Sequence, residues 1–405
     1  MTSLLEGRPL TVLHAVPHLD RVGGCERQAL LLARHQSRTG LVRPVLLTHE
    51  APGLWAAGAP HAREAAGGPA IHRLARGLRR YHPGAWWRQH GRGVGLVHAH
   101  AVHKLCGQLV ALAARDGVPS LVKVATPADI ELFAEPRRWQ QLVEPEQDPA
   151  RFGPRWRWMA AATWRRLSAA EAFLALNDDI AARLAARGLR AERVRNAVDC
   201  ARFAPPGPEG RAAARAALAV PAGAPCLASV GRLVARKDLA CVLAALARLP
   251  RARLLVCGGG PQSGELARLA RQLRVDDRVH WLGERDDVRP ALHAADVFVH
   301  ASRSEGFPNA LLEALACGLP AALSDIPGHR DGEALPGRAA LLFPPGDDAA
   351  LAAALGRLLD DPREREARGA AAREVARRTY GVDVVAAQMA QLYERHRRAR
   401  PTPAA

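Results

Sequence analysis

The sequence predicts an α/β protein made of two doubly wound domains, each a parallel sheet covered by helices on both faces. Three observations carry this. Short apolar runs alternate with helical stretches along most of the chain. Those runs are apolar along their whole length, as in strands buried on both faces of a parallel sheet. The chain has 405 residues, too many for one ordinary core, and the alternation comes in two series.

In the first series, "LTVLHAV" (10–16) reads as a buried strand. "GGCERQALLLARHQ" (23–36) reads as a glycine turn opening a helix. "PVLLTH", "GLVHAH" and "SLVKVA" are further strands. The domain boundary is expected in "NAVDCARFAPPGPEG" (196–210), where three prolines and two glycines separate an apolar strand from a new helix. This divides the chain into domains 1–199 and 200–381. In the second series, "CLASVG", "ARLLVCG", "RVHWLG", "DVFVHA" and "PAALSD" are strands, and "LACVLAALARL" and "LARLARQL" are helices between them. Helical patterns fill 347–398, the last following Tyr380-Gly381, and the tail "RPTPAA" is expected to fray.

Hydrophobic residues make up 48% and charged residues 24%, which excludes a disordered chain. Net charge is +17: residues 1–199 carry 28 Lys/Arg against 17 Asp/Glu, and residues 200–405 carry 29 against 23. A basic face attracts nucleic acid, anionic lipid or an anionic substrate, and composition does not choose among them. Ala and Arg abound throughout, as in GC-rich genomes, so arginine counts weigh less here. Two segments lack acids altogether. Residues 72–92 hold six Arg and three aromatics, and "RFGPRWRWMAAATWRRL" holds five Arg and three Trp. These segments, 72–92 and 150–166, suit either an anionic membrane surface or solvated helices with Trp in the core. The seven cysteines are scattered, without a C-x-x-C pair or zinc spacing, and read as buried thiols of a reducing compartment. "MTSLLEGRPL" has no signal-peptide pattern, and no apolar run approaches the ~20 residues of a membrane span. The expectation is a cytoplasmic protein that can lie on the inner face of the cell membrane without crossing it.

Two loops carry chemistry. "GRLVARKD" (231–238) follows a strand and precedes a helix. Gly231 allows close backbone approach, and Arg232 and Lys237 place two cations at a helix N-terminus, which suits a pyrophosphate. The same residues suit a solvated basic turn. "EGFPNALLEALACGLP" (305–320) puts Glu305 in a loop after the strand "DVFVHA". Pro308 suits the first turn of the helix that follows, and Glu313 lies inside that helix. Helix-start N–H groups hold anionic oxygens, and a carboxylate accepts two hydroxyl protons at once. A ligand with a diphosphate, a ribose and a second polyhydroxyl ring would use all of these groups. His98 and His100 end another strand. His100 could touch a sugar or be a hydrogen-bonded internal histidine.

At these residues the sequence resembles glycosyltransferase family 4, retaining transferases of the GT-B fold that use nucleotide-sugar donors. The likeness runs from about residue 10 to about residue 380. Its most specific piece is the E-x7-E pair, Glu305 and Glu313. "GRLVARKD", "VRNAVDCARFAP", "CGGGP", "DRVHWLG", "GRAALLFPPGD" and "GGCERQALLLA" support it. The resemblance implies two Rossmann-like domains facing a central cleft. The first would bind the acceptor and the second the donor, and the helix 382–399 would pack back on the first. It gives Glu305 the donor sugar and the charge at its anomeric carbon, and Glu313 the ribose. It gives Arg232 and Lys237, beside Gly231, the leaving diphosphate. Backbone at Gly306, Phe307, Pro308 and Asn309 would meet phosphate or sugar. Gly23 and Gly24 would close over the donor, and the base would lie near Gly259. A UDP- or GDP-linked donor is expected, with no cofactor and no metal, and the sequence has no Asp-x-Asp pair.

Three positions depart from the family pattern. Thr126 stands where many members have a histidine, Asp238 where a glycine is usual, and Asp331 where a glutamate is common. The implied setting is assembly of an envelope glycan or glycolipid: lipopolysaccharide, capsule or exopolysaccharide. The rivals are a transferase acting on a small soluble acceptor and a degenerate transferase kept as a binding partner. A nucleic-acid-binding protein is set aside, because no binding module is recognisable.

Overall fold

The computed structural model describes residues 9–19, 23–49, 68–74, 83–134, 153–330 and 337–398. They form two compact units, divided at Ala197/Val198 and again at Gly381/Val382.

The first unit is built on a sheet with seven strands among the described residues. They are β1 (Thr11–Ala15), β2 (Arg43–His49), β3 (Ala70–Leu74), β4 (Leu96–Ala99), β5 (Ser120–Val124), β6 (Ala172–Ala175) and β7 (Ala191–Arg193). Their order is β3-β2-β1-β4-β5-β6-β7, and every neighbouring pair is parallel. Leu13, Leu46, Leu47, Leu96, Leu121, Val122 and Leu174 are fully buried, which is why these strands read as unbroken apolar runs. β7 is different: the strand expected to be apolar is a three-residue edge, Ala-Glu-Arg, and half exposed. The helix Val382–Arg398 belongs to this unit. It buries Val385, Ala386, Met389, Leu392 and Tyr393 at spacings of one, three and four.

The two acid-free segments differ. In the first, β3 and the helix Gly84–His90 take up the described part. Trp87 is 2% exposed and its Nε1 donates to Asp116 Oδ2 at 2.7 Å, so it is a core residue. In the second, the helix Pro154–Leu167 turns Trp158 outward, 69% exposed.

The second unit has six parallel strands among the described residues. They are β8 (Cys226–Val230), β9 (Arg253–Cys257), β10 (Val279–Gly283), β11 (Val297–His300), β12 (Ala321–Ser324) and β13 (Ala340–Phe343). Their order is β10-β9-β8-β11-β12-β13. Counted within the unit this is 3-2-1-4-5-6, the doubly wound dinucleotide-binding order, and it reverses direction between β8 and β11. Asp296 fastens the unit's first helix, Pro208–Ala217, by accepting from Arg211 at 2.6 Å and Arg215 at 3.1 Å. The helix expected to begin at Pro308 begins at Asn309, with Pro308 as its extended cap. Proline's fixed φ suits either place, which is why sequence misses the boundary by one residue.

All seven cysteines are free thiols, five of them buried, and burial pushes Cys106, Cys226, Cys241 and Cys317 up to about 12. The five buried ones are unreactive core residues. No described helix is long and apolar enough to cross a membrane.

Candidate donor site

In an open α/β sheet, ligands bind at the carboxyl ends of the strands, where the strand order reverses. In the second unit that point lies between β8 and β11. The loop 231–238 leaves β8 and the loop 301–306 leaves β11, so topology alone brings both sequence motifs to one place. The two loops carry four cations (Arg232, Arg236, Lys237, Arg303) and two carboxylates (Asp238, Glu305).

Glu305 is 8% exposed and accepts a hydrogen bond from Lys237 Nζ. Arg236 Nη1 lies 3.4 Å from the same oxygen. Burial pushes the Glu305 carboxyl up, but the Lys237 and Arg236 charges outweigh burial and hold it below its ordinary value. Glu305 is therefore ionised and engaged. Arg232 is exposed and has no ion-pair partner among the described residues.

A histidine chain sets the other side of Lys237. His329 Nδ1 is 2.7 Å from the Ser324 carbonyl oxygen, which only accepts, so His329 carries its hydrogen on Nδ1. His329 Nε2 then accepts from His300 Nδ1 at 2.9 Å. His300 Nε2 is left as a lone pair facing Lys237 Nζ at 3.4 Å. Burial, then the Lys237 charge, holds His300 well below its ordinary value, and burial lowers His329 to about 4. Two neutral imidazoles thus aim the ammonium at the crevice. Sequence reading missed Arg236, His300 and His329. The last two were visible only as the ends of "DVFVH" and "SDIPGH", whose meeting depends on β11 and β12 being neighbours.

Asp238 adopts a left-handed conformation at φ 48°, where a glycine is usual. Its carboxylate is 2.8 Å from Arg303 Nη2, so its charge is neutralised beside the phosphate-type loop. Gly328 is also required. A Cβ there would lie 2.5 Å from the Glu305 carbonyl oxygen, so only glycine lets the β12 loop support Glu305.

Gly231 lies under the Lys237 stem, and Gly259 accepts from Leu233 N at 2.8 Å, knitting the β9 loop to the β8 loop. The tightest contact is at Gly258, where φ is 149° and a Cβ would sit 1.8 Å from the Gly231 carbonyl oxygen. Backbone cannot yield there. Gly258→Ala is expected to cost about 3 kcal/mol or more, read as a fall in the urea midpoint. A loss under about 1 kcal/mol would mean the two loops are not packed as described.

Gly306, Phe307 and Pro308 are buried, and Phe307 stacks on the buried Tyr380 with ring centroids 5.1 Å apart. The Phe307 side chain is thus an anchor packed inside the unit. Glu313 is half-buried within the helix Asn309–Ala316.

The other expected residues lie in the first unit. Gly23 caps the helix Gly24–Thr39, and both glycines are exposed. Thr126 N and Ala125 N donate to Asp129 Oδ2 at 2.8 and 3.1 Å, a local cap in place of a histidine. Asp331 lies outside the described residues. His100, expected at a strand end facing the cleft, is only 1% exposed. It sits 2.8 Å from His14 and its ring stacks on His98. The extended strand puts His98 and His100 on one face, which turns both toward the covering helices.

Residues 210–375 match the family described as Glycosyl transferases group 1. The lipopolysaccharide core biosynthesis glycosyltransferase LpsE of Rhizobium meliloti (strain 1021) is 42% identical over 123 residues, 29% of this chain and 36% of that protein. The D-inositol 3-phosphate glycosyltransferase of Kineococcus radiotolerans is 38% identical over 206 residues, 45% of this chain and 46% of that protein. These matches thus span between a third and a half of the relatives' own length. A crystal structure of Anabaena HepE in complex with UDP and glucose aligns with a TM-score of 0.75 at 18% identity, covering 95% of this chain and 99% of that one. The chain therefore has the GT-B type of fold, two Rossmann-like α/β units, and the stretch 210–375 in its second unit matches the glycosyl transferases group 1 family.

Proposed function

We propose that the chain is a retaining, metal-independent glycosyltransferase of family 4. It would move a sugar from a UDP- or GDP-linked donor to an envelope glycan or glycolipid acceptor, with lipopolysaccharide the first candidate. The observation that carries this is the Glu305–Lys237–Arg236 cluster at the strand-order reversal of the second unit. Its two loops have two more positive than negative side chains, which a diphosphate would neutralise. The donor's bond between the anomeric carbon and the phosphate oxygen breaks, and the electron pair leaves with the diphosphate. Lys237, Arg232 and the start of the helix Asn309–Ala316 stabilise that charge. Glu305 faces the positive charge that develops on the sugar. The acceptor hydroxyl attacks from the same face and passes its proton to the departing phosphate. Glu313 holds the ribose hydroxyls.

The similarity to LpsE supports an envelope acceptor, and the similarity to the inositol phosphate enzyme supports a small soluble one. On this reading the protein works in the cytoplasm, on the inner face of the membrane. Trp158 with exposed Arg155, Arg165 and Arg166 on one helix suits an anionic headgroup layer. Labelled sugar is expected to enter the membrane extract, and the protein is expected to sediment with anionic vesicles, less so as Trp158→Glu. Label confined to the soluble extract, with no sedimentation, would favour the small acceptor.

A further inference from the structure

We propose that the first unit carries a second ligand site, where the buried Lys123 and His100 hold one protonated oxygen of a phosphate group. Its use for a phosphate on the acceptor rests on the transferase reading above, whereas the site itself does not.

A cavity of about 10 Å³ lies beside β4 and β5, within the first unit. It has room for one oxygen-sized group. Lys123, Arg195, His98, His100 and Gln28 supply its polar lining, and no carboxylate among the described residues lines it. Lys123 is 6% exposed. Among the described residues its one hydrogen bond goes to Asn196 Oδ1 at 2.6 Å, and it makes no ion pair there. Two of its three N–H donors are thus left over. A buried ammonium without a counter-charge is costly, and no carboxylate among the described residues pairs with it.

The histidines say what the occupant must offer. His98 Nε2 and His100 Nδ1 are buried without a hydrogen-bond partner. His14 Nε2 faces Gln36 Oε1 at 3.1 Å, and an oxygen there only accepts, so His14 donates through Nε2. His14 Nδ1 is then a lone pair and takes its hydrogen from His100 Nε2 at 2.8 Å. His100 Nδ1 is consequently a second lone pair. The occupant must accept hydrogens from Lys123 and give one to His100. A P–OH oxygen on an anionic phosphate does both and supplies the missing counter-charge. Sulfate has no hydrogen to give near pH 7. A metal ion fits poorly, although His14, His98 and His100 cluster closely enough to suggest one. Both His14 nitrogens are engaged, and a metal would meet the Lys123 charge.

The test titrates the full chain with inorganic phosphate and with sulfate at equal ionic strength, for wild type, Lys123→Met and Lys123→Gln. At tenfold the phosphate Kd, phosphate is expected to raise the wild-type Tm about 3–5 °C more than sulfate. Both variants should lose that difference, and Lys123→Met should melt no lower than wild type, since it deletes a buried charge. Equal shifts with phosphate and sulfate would overturn the site, leaving the cavity to water. So would a phosphate-specific shift that survives in Lys123→Met or Lys123→Gln. Phosphatase treatment of the acceptor extract separates the sources: lost sugar transfer places the phosphate on the acceptor, and unchanged transfer assigns the site to free phosphate. The same three proteins titrated with UDP and GDP keep the readings apart: a nucleotide shift absent from all three would overturn the transferase reading and leave the phosphate site standing.

Discussion

Glu305→Gln is expected to lower kcat by about 10²–10³-fold while changing donor affinity only a few-fold. Gln keeps the shape and the hydrogen-bonding oxygen but removes the charge, and a charge aimed at the developing transition state is worth about that much. The cluster gives a second readout. Lys237 and Arg236 hold the Glu305 carboxyl below its ordinary value. A carboxyl lowered by folding adds stability above its unfolded pKa, and that stability is lost as pH falls through the folded pKa. Wild type should therefore lose stability below about pH 4.5, and Glu305→Gln should lack that part of the acid transition. An unchanged kcat would remove Glu305 from the chemistry.

Lys237→Met is expected to weaken nucleoside diphosphate binding by about 1.5–3 kcal/mol, roughly 10–150-fold in Kd. The change removes the ammonium that faces His300, and it takes the Lys237 charge away from the buried Glu305, whose neighbour Arg236 lies at 3.4 Å. Glu305 then repels the incoming phosphate where it was neutralised before. Lys237→Arg keeps the charge and should recover part of the affinity, though its fork does not fit between His300 and Glu305 as a point charge does. Calorimetry with UDP and GDP reads both. A Kd within threefold of wild type would mean the diphosphate sits elsewhere.

Much of this site was legible because its parts are local in sequence. Glu305, Pro308 and Glu313 share one loop and helix, and Gly231, Arg232 and Lys237 share another. Their order after apolar strands was enough to place both at strand ends. What was not legible depends on which strands are neighbours. His300 and His329 meet because β11 pairs with β12, and no local pattern encodes that pairing. The Arg303–Asp238 pair joins the two loops in the same way. Among strands, β3, β6, β7 and β13 were not read from the pattern as they stand. β6 is Ala-Phe-Leu-Ala in an alanine-rich stretch that suits a helix equally well, while β3 and β7 are short and partly exposed. His98 and His100 stand at a strand end that was expected to face the cleft, but both are buried, and His98 bonds Tyr393 of the helix Val382–Arg398, nearly three hundred residues away in sequence.

The most direct measurement is a thermal-shift titration with UDP, GDP, ADP and CMP, without added metal, on wild type and on Glu313→Ala. At about 100 times Kd a ligand of the folded state adds about 2.7 kcal/mol, roughly 5–10 °C for a unit of this size. One nucleotide should produce that shift in the wild type, and Glu313→Ala should lose most of it. If no nucleotide shifts the wild type at millimolar concentration, the second unit is not a nucleotide-sugar site, and a degenerate transferase that serves as a binding partner becomes the better account.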